Sequence, residues 1–547
     1  MSEQESLLEP IKYYKSELKQ KHKENVDAYF ESETKESKVN PDENKEAVNV
    51  YKSKLKTLEG AKKAVHKMNV KLGFMLFFGI ILIPVIIGIL LLVKRSKLKK
   101  NEAIELKKKQ DKAEKEAVEA RDFARSLVEP LLNRIHCGVA PMLMEKTISF
   151  INFDETLTGD EAFRIEKQYN TTLANNVDES ALTIQTGHLN NNPFVVRQNH
   201  ITSMGTELYT GVLVVTYTVT TYSSEGKREE VRTETLHASV TKPKPFYSVG
   251  TSLDYYTTAA PKLDISRSPT TLYLKSEKEI KKYIDKIDAE ETKKAQKAIK
   301  KGQSYTKLAN VKFESFFNCN KRNNELEYRL LFTPLAQNNL VYYFSQKEPF
   351  GDDIRYYKEG MVNTVVSTHS SKFDYSGAPY LGDEYDYEVI KTKFQDYCNS
   401  FFEYLYYDFA FLLSIPLFNQ HLSEKFVDKG NTRLFSALDT ECLINKFGNE
   451  HFKHEDSATD AILKTKFKGH KNGCDLVDVY AFSYEAVPQV ETVPVIAGNG
   501  QTYLVPVNYF EYIPLEKVTH ISVYNIKEGE PSKCGVNYRN MDFEIIN

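Results

Sequence analysis

Three stretches of the chain space their apolar residues three and four apart. Leu7, Ile11, Tyr14 and Leu18 form the first, and Val48, Tyr51, Leu55, Leu58 and Val65 the second, interrupted by Lys62. Leu106, Ala113, Ala117, Ala120, Ala124 and Leu127 form the third, with Gln110 on the seam. Such spacing predicts long helices with a narrow apolar stripe, suited to a coiled coil or to docking on the rest of the chain. Pro130 follows the last periodic residue but one turn and predicts a break there. Between the second and third stretches lie residues 72–93, "LGFMLFFGIILIPVIIGILLLV", without a charged side chain. As one helix they would measure about 33 Å, against a hydrocarbon core of about 30 Å. The expectation is a single transmembrane helix flanked by long helices. Pro84, between Gly79 and Gly88, also allows a re-entrant hairpin with both flanks on one side.

From about residue 135 the period changes. "LYTGVLVVTYTVTTY" and "EEVRTETLHASV" flank "SSEGKR", which predicts a β-hairpin with a glycine in its turn. A second hairpin is expected at "VPVIAGNGQTYLVPV", where Asn499-Gly500 supplies the left-handed backbone of a tight turn. Residues 275–302 predict a lysine-rich helix with Ile280, Ile284 and Ile287 on one face and Gly302 at its end. Another helix is expected from residue 391 to about Pro416. Separate β-rich and helical runs give an α+β class. The segments are a charged helical tail (1–71), the transmembrane helix (72–93) and a long charged helix (94–130). A β-rich subdomain (135–274) and a mixed α+β subdomain (275–547) follow. No internal repeat is visible.

Charge changes the picture by its distribution. Through Glu129 the chain has 27 Lys+Arg against 21 Asp+Glu, and the remainder 46 against 54. A basic part next to the apolar segment and a mildly acidic body suit an anionic lipid surface, and no nucleic acid is expected. Five lysines (Lys56, Lys62, Lys63, Lys67, Lys71) precede the apolar segment. Eight cations follow it: Lys94, Arg95, Lys97, Lys99, Lys100, Lys107, Lys108 and Lys109. Because the richer flank stays in the cytoplasm, the large body is expected there, in a single-pass protein of the cell membrane; an exported body is the reverse orientation. Lysine outnumbers arginine roughly four to one and Trp is absent, which suggests an AT-rich bacterial genome. The six cysteines include no CxxC, which favours a reducing compartment over a disulfide framework.

Candidate chemistry is sparse. Cys442, His451, His454, Glu455, His470 and Cys474 offer zinc-type donors, and His451 with His454 would share a helix face. Their spacing matches no ordinary zinc pattern, and exposed histidines beside two unrelated cysteines are the plainer explanation. No cofactor is otherwise expected. The aromatic run from Phe394 to Phe411 reads as a buried core helix in preference to a membrane-interface patch, because Asp396, Glu403 and Asp408 punctuate it. The acids of the 275–302 helix dilute its lysines, so a solvated face is expected there. "GDD" at 351–353 is too short to signify a metal-binding turn. Phosphate-loop, dinucleotide and nucleophile-elbow motifs are missing from the sequence.

At "VKFESFFNCNKRNNELEYRLLFTPLAQNNLVYYF" (311–344) and "IRYYKEGMVNTVVST" (354–368) the chain resembles an uncharacterised bacterial family of membrane-anchored proteins of unknown function. The similar features are a Phe-Glu-x-x-Phe strand start, the "LLFTPL" segment, a short helix, a strand pair and a further helix. The resemblance implies a membrane-tethered α+β body and carries no catalytic residue. Together these readings favour a tether or scaffold that binds the lipid bilayer and a protein partner, or self-associates through its heptad-like helices. A membrane-tethered hydrolase, in a metal-dependent version through Cys442, His451, His454, His470 and Cys474 or without a metal, is the alternative. A surface-displayed binding protein follows if the orientation is reversed.

Overall fold

The computed structural model describes residues 8–81, 86–135, 138–174, 176–223, 226–302, 310–376, 382–419, 433–526 and 540–546. The chain forms two compact units. The sheet unit comprises Met1–Tyr13, Ser149–Tyr375 and Tyr404–Asn547; the helical unit comprises Tyr14–Ile148 and Ser376–Glu403.

In the helical unit the helix Pro41–Ile81 runs antiparallel to Ile86–Leu98 and Ile104–Leu132. The apolar stripes read from the sequence face each other. Val48 and Ala47 meet Ala124, with Leu127 alongside; Leu58 meets Ala113 and Ala117, with Tyr51 and Leu55 alongside. The alanines let the two helices approach closely, so the seam is satisfied within one chain. The returning helix continues through Pro130 to Leu132 instead of breaking before it. The helix Lys19–Glu36 buries Val26 and Phe30, and Phe30 packs against Phe394 at 5.2 Å.

That unit contains a neutral buried histidine. His22 is 1% exposed, stacks on Phe402 at 4.1 Å, and its ring nitrogens engage Thr147 Oγ1 and the Cys398 carbonyl at 2.9 and 3.1 Å. Burial lowers its pKa to about 4.

In the sheet unit, β1 (Ile151–Phe153), β2 (Glu179–Leu189), β3 (Asn192–Ser223), β4 (Gly226–Tyr256), β5 (Ile265–Arg267), β6 (Cys319–Arg322), β7 (Ile354–Glu359) and β8 (Val362–Ser367) form one sheet, ordered β1-β2-β3-β4-β8-β7-β5-β6. A second sheet has the order β12-β11-β10-β9, from β9 (Ile462–Lys471), β10 (Cys474–Ile496), β11 (Thr502–Asn525) and β12 (Met541–Ile546). Both expected hairpins are present, with the β3–β4 ladder closing at Ser223 and Gly226 and the β10–β11 ladder at Ile496 and Thr502. Gly500 holds φ +78° in the second turn, where a Cβ would be strained. The two hairpins pack on each other through Val215, Leu236 and Ala238 against Ala497, Val505 and Val507.

The helix Glu277–Lys300 starts at a capping box, Ser276 with Glu279, and buries only Ala298. Its lysines are therefore solvated, as the interspersed acids imply. The Phe-Glu-x-x-Phe segment is a helix, Val311–Phe317, and not a strand start. Phe313, Phe316 and Phe317 stand three and four apart on its buried face, and Asn310 caps it. Cys319, Cys398, Cys442 and Cys474 are free thiols.

A charged histidine lies in the sheet unit. His369 is 3% exposed, with Nδ1 2.9 Å from Asp353 and Nε2 3.3 Å from Asp408. Burial alone would lower its pKa, but Asp408 and Asp353 reverse this and raise it to about 10. The two histidines thus titrate with opposite consequences. His22 is depressed below an unfolded value of about 6.5, so its contribution is lost as pH falls from there through about 4. His369 is raised, so its contribution is complete below about 6.5 and is lost as pH rises through about 10. Between pH 7 and pH 4, amide protection factors in residues 19–36 are expected to fall, while protection around residues 354–371 is unaffected by His369. Raising pH toward 10 weakens the second region alone. Equal responses in both regions would contradict these assignments.

Candidate functional site

The most distinctive surface belongs to the helical unit. Its antiparallel register is fixed by Asn44 donating to the Ala124 carbonyl at 2.9 Å, Lys54 pairing with Glu116 at 2.7 Å, and Arg95 Nε donating to the Leu72 carbonyl at 3.1 Å. The paired positions draw together along the sequence, from 44 with 124 to 72 with 95. The expected single transmembrane helix is therefore corrected: among the described residues no helix is long and apolar enough to cross a membrane. The apolar segment is divided between the end of Pro41–Ile81 and the start of Ile86–Leu98. The reason lies outside the segment itself. The stripes on either side bury each other only if the chain reverses between them. Pro84, on which the hairpin alternative was centred, lies outside the described residues.

Among the described residues the outgoing arm contributes ten residues of the apolar segment (72–81) and the returning arm eight (86–93), roughly 15 and 12 Å of helix. Among the described residues several of their side chains are largely exposed: Phe74 and Phe77 are each 60% exposed, Ile89 55% and Leu90 62%. Phe74 and Phe78 stack at 6.3 Å, and Phe77 meets Phe78 edge-on at 5.4 Å, which makes the three rings one contiguous apolar cluster on the outgoing arm. Singly exposed apolar residues are ordinary in proteins, but a contiguous cluster of this kind marks an interaction surface.

The donors singled out in the sequence are not gathered together. Cys442 is fully buried in an apolar cluster with Leu157, Ile184 and Val195. The preceding helix ends at Phe447, so His451 and His454 do not share a helix face. His451 packs against Phe447 at 4.4 Å, and His454 accepts from the Asp456 backbone N–H at 3.2 Å. His470 Nδ1 contacts Asp475 at 2.9 Å across the β9–β10 ladder. Cys474 sits opposite Lys471, one position along, and therefore on the other face.

A different group could hold a metal ion: Asp154, Glu161 and His188 place one donor atom each within 4.8 Å of one another. Asp154 follows β1, Glu161 lies in the first turn of the helix Gly159–Gln168, and His188 sits on β2. Gly187 makes the approach possible, since a Cβ there would stand 2.0 Å from the Asn152 carbonyl oxygen of β1. His188 has Asp154 at 3.8 Å from Nδ1 and Glu161 at 3.9 Å from Nε2. Burial, reinforced by Asp154, raises the Glu161 pKa to about 7. Sequence reasoning missed this group because its members come from three elements and share no local motif.

The acids of "GDD" serve the interior. Asp352 forms a fully buried pair with Arg267, and Asp353 holds His369. With Phe350 stacked on the His369 ring at 4.0 Å and both nitrogens engaged, this is a structural network. A cleft of about 420 Å³ is lined by Glu179, Arg197, Asp254 and Glu359. Arg197 there is held by Asp254 and by the Leu173 carbonyl, so its charge is matched internally.

Comparison with known proteins adds no assignment: no family model, no curated protein and no solved structure matches the chain.

Proposed function

We propose that the protein is a membrane-attached tether or scaffold, held by insertion of the helical hairpin's apolar end into one leaflet. The observation that carries this reading is the exposed apolar surface of the two arms, the contiguous rings of Phe74, Phe77 and Phe78 on one and the exposed Ile89 and Leu90 on the other. Arms of roughly 12 and 15 Å suit half of a hydrocarbon core of about 30 Å. Helical backbone can enter lipid because its hydrogen bonds are satisfied along the helix. A hairpin also leaves both flanks on one side, so the basic tail needs no export. With five cations on one flank and eight on the other, that side is the cytoplasmic one. The test is flotation of the intact protein with lipid vesicles in the absence of detergent. Recovery in the lipid fraction is expected, and recovery only in the aqueous fraction would contradict the reading.

A second reading rests on Asp154, Glu161 and His188, an imidazole and two carboxylates of the kinds zinc accepts. If zinc binds there it must displace the Glu161 proton, so uptake should strengthen as pH rises through about 7. Elemental analysis after equilibration with zinc and gel filtration is expected to find one equivalent, lost in His188→Ala. No zinc in the unaltered protein, or an unchanged amount in the variant, would dispose of it.

A further inference from the structure

Resting on the leaflet-insertion reading, we infer that the base of the apolar end selects membranes bearing anionic headgroups. The sequence places no Asp or Glu between Glu59 and Glu102, while that interval contains eight lysines and one arginine. The antiparallel register brings the two ends of this linear run side by side. Lys67 and Lys71 on the outgoing arm lie level with the segment carrying Lys97 and Lys99 on the returning arm, as the Leu72–Arg95 hydrogen bond requires. Lys94 and Arg95 lie at the junction with the apolar positions.

Further from the end several of the hairpin's cations have carboxylate partners, although, among the described residues, Lys56, Lys107 and Lys108 do not. Lys54 pairs with Glu116, Lys109 with Glu105, Lys112 with Glu116 and Lys115 with Glu119. Among the described residues, Lys62, Lys63, Lys67, Lys71, Lys94, Lys97 and Lys99 are in no ion pair with a carboxylate; each is exposed. The shaft is charge-balanced and the collar is not. Were the apolar end a self-association surface, the collars of neighbouring copies would come together and repel. A bilayer with anionic headgroups supplies the missing countercharge at the depth that insertion sets, with lysine stems lying along apolar surface and ammonium groups reaching the headgroups.

The experiment compares flotation of the full chain with neutral phosphatidylcholine vesicles and with vesicles containing phosphatidylserine, at two salt concentrations. The collar variant carries Lys67→Gln, Lys71→Gln, Lys94→Gln and Lys97→Gln, all at exposed positions. The unaltered protein is expected to partition about 100-fold more strongly into the anionic vesicles, with the preference shrinking as salt rises. The variant should lose most of that preference while its binding to neutral vesicles is unchanged. Equal binding of the unaltered protein to both compositions overturns the collar inference but leaves insertion standing. No binding to either composition overturns the insertion reading. Equally tight binding of double-stranded RNA, abolished by the same four changes, would make the collar a general polyanion site and overturn the lipid assignment.

Discussion

Replacing Phe74, Phe77 and Phe78 together by serine is expected to abolish flotation with vesicles while leaving the fold intact. Moving one phenylalanine side chain from water into an apolar medium contributes on the order of 2 kcal/mol. Three of them contribute about 6 kcal/mol, and 1.4 kcal/mol corresponds to tenfold in an equilibrium constant. Because the rings are already about half covered in the free protein, about half of that is realised on insertion, and the partition coefficient should fall by about 100-fold. All three rings are roughly half exposed or more in the free protein, so their loss removes little packing. Substitutions at such surface positions usually change stability by less than about 0.5 kcal/mol. Thermal unfolding of the variant provides the control. Retained flotation with unchanged melting would show that the apolar end does not touch lipid.

The second large effect belongs to the interior of the sheet unit. Arg267 is fully buried, with Nη1 and Nη2 donating to the two Asp352 carboxylate oxygens at 2.9 and 2.8 Å. Nε donates to the Phe317 carbonyl at 2.9 Å, Nη1 also to the Ile354 carbonyl at 2.8 Å, and the guanidinium lies 3.8 Å from the centre of the Phe344 ring. Thr270 adds donations from its backbone N–H and its hydroxyl to Asp352. One cation thus ties β5 to the helix Val311–Phe317 and to the start of β7. Arg267→Met leaves Asp352 buried without its countercharge, and breaking such a pair costs about 3–5 kcal/mol. Arg267→Lys should not rescue it, because an ammonium group cannot reproduce the planar fork. Arg267→Met combined with Asp352→Leu should be less damaging than Arg267→Met alone, since the orphaned charge is then gone. Denaturant unfolding of the three variants checks the order. If the double variant were the least stable, the pair would not act as a unit.

Local structure was readable where one interaction decides it. Ser276 with Glu279 announces a helix start, and Asn499-Gly500 a turn, whatever lies around them. The resemblance implied a strand start at 313–317, whereas Phe313, Phe316 and Phe317 have helical spacing behind an asparagine cap. The apolar segment shows a different limit. Its composition says that it avoids water but is equally compatible with one long helix and two short arms. The decision rests with Val48 and Leu58 on one side and Ala113 and Ala124 on the other, whose mutual burial is a pairing between distant stretches. The candidate metal group was hidden for a related reason. Asp154, Glu161 and His188 come together only after β1 and β2 pair across Gly187, whereas the sequence drew attention to histidines and cysteines close in number and separated in space.

Because the chain contains no tryptophan, Phe77→Trp would introduce a single indole at the apolar end. Its emission should shift to the blue when vesicles are added and should be quenched by lipids brominated along their acyl chains. Emission that remains that of a water-exposed indole, at a lipid concentration that saturates flotation, would contradict insertion of the hairpin.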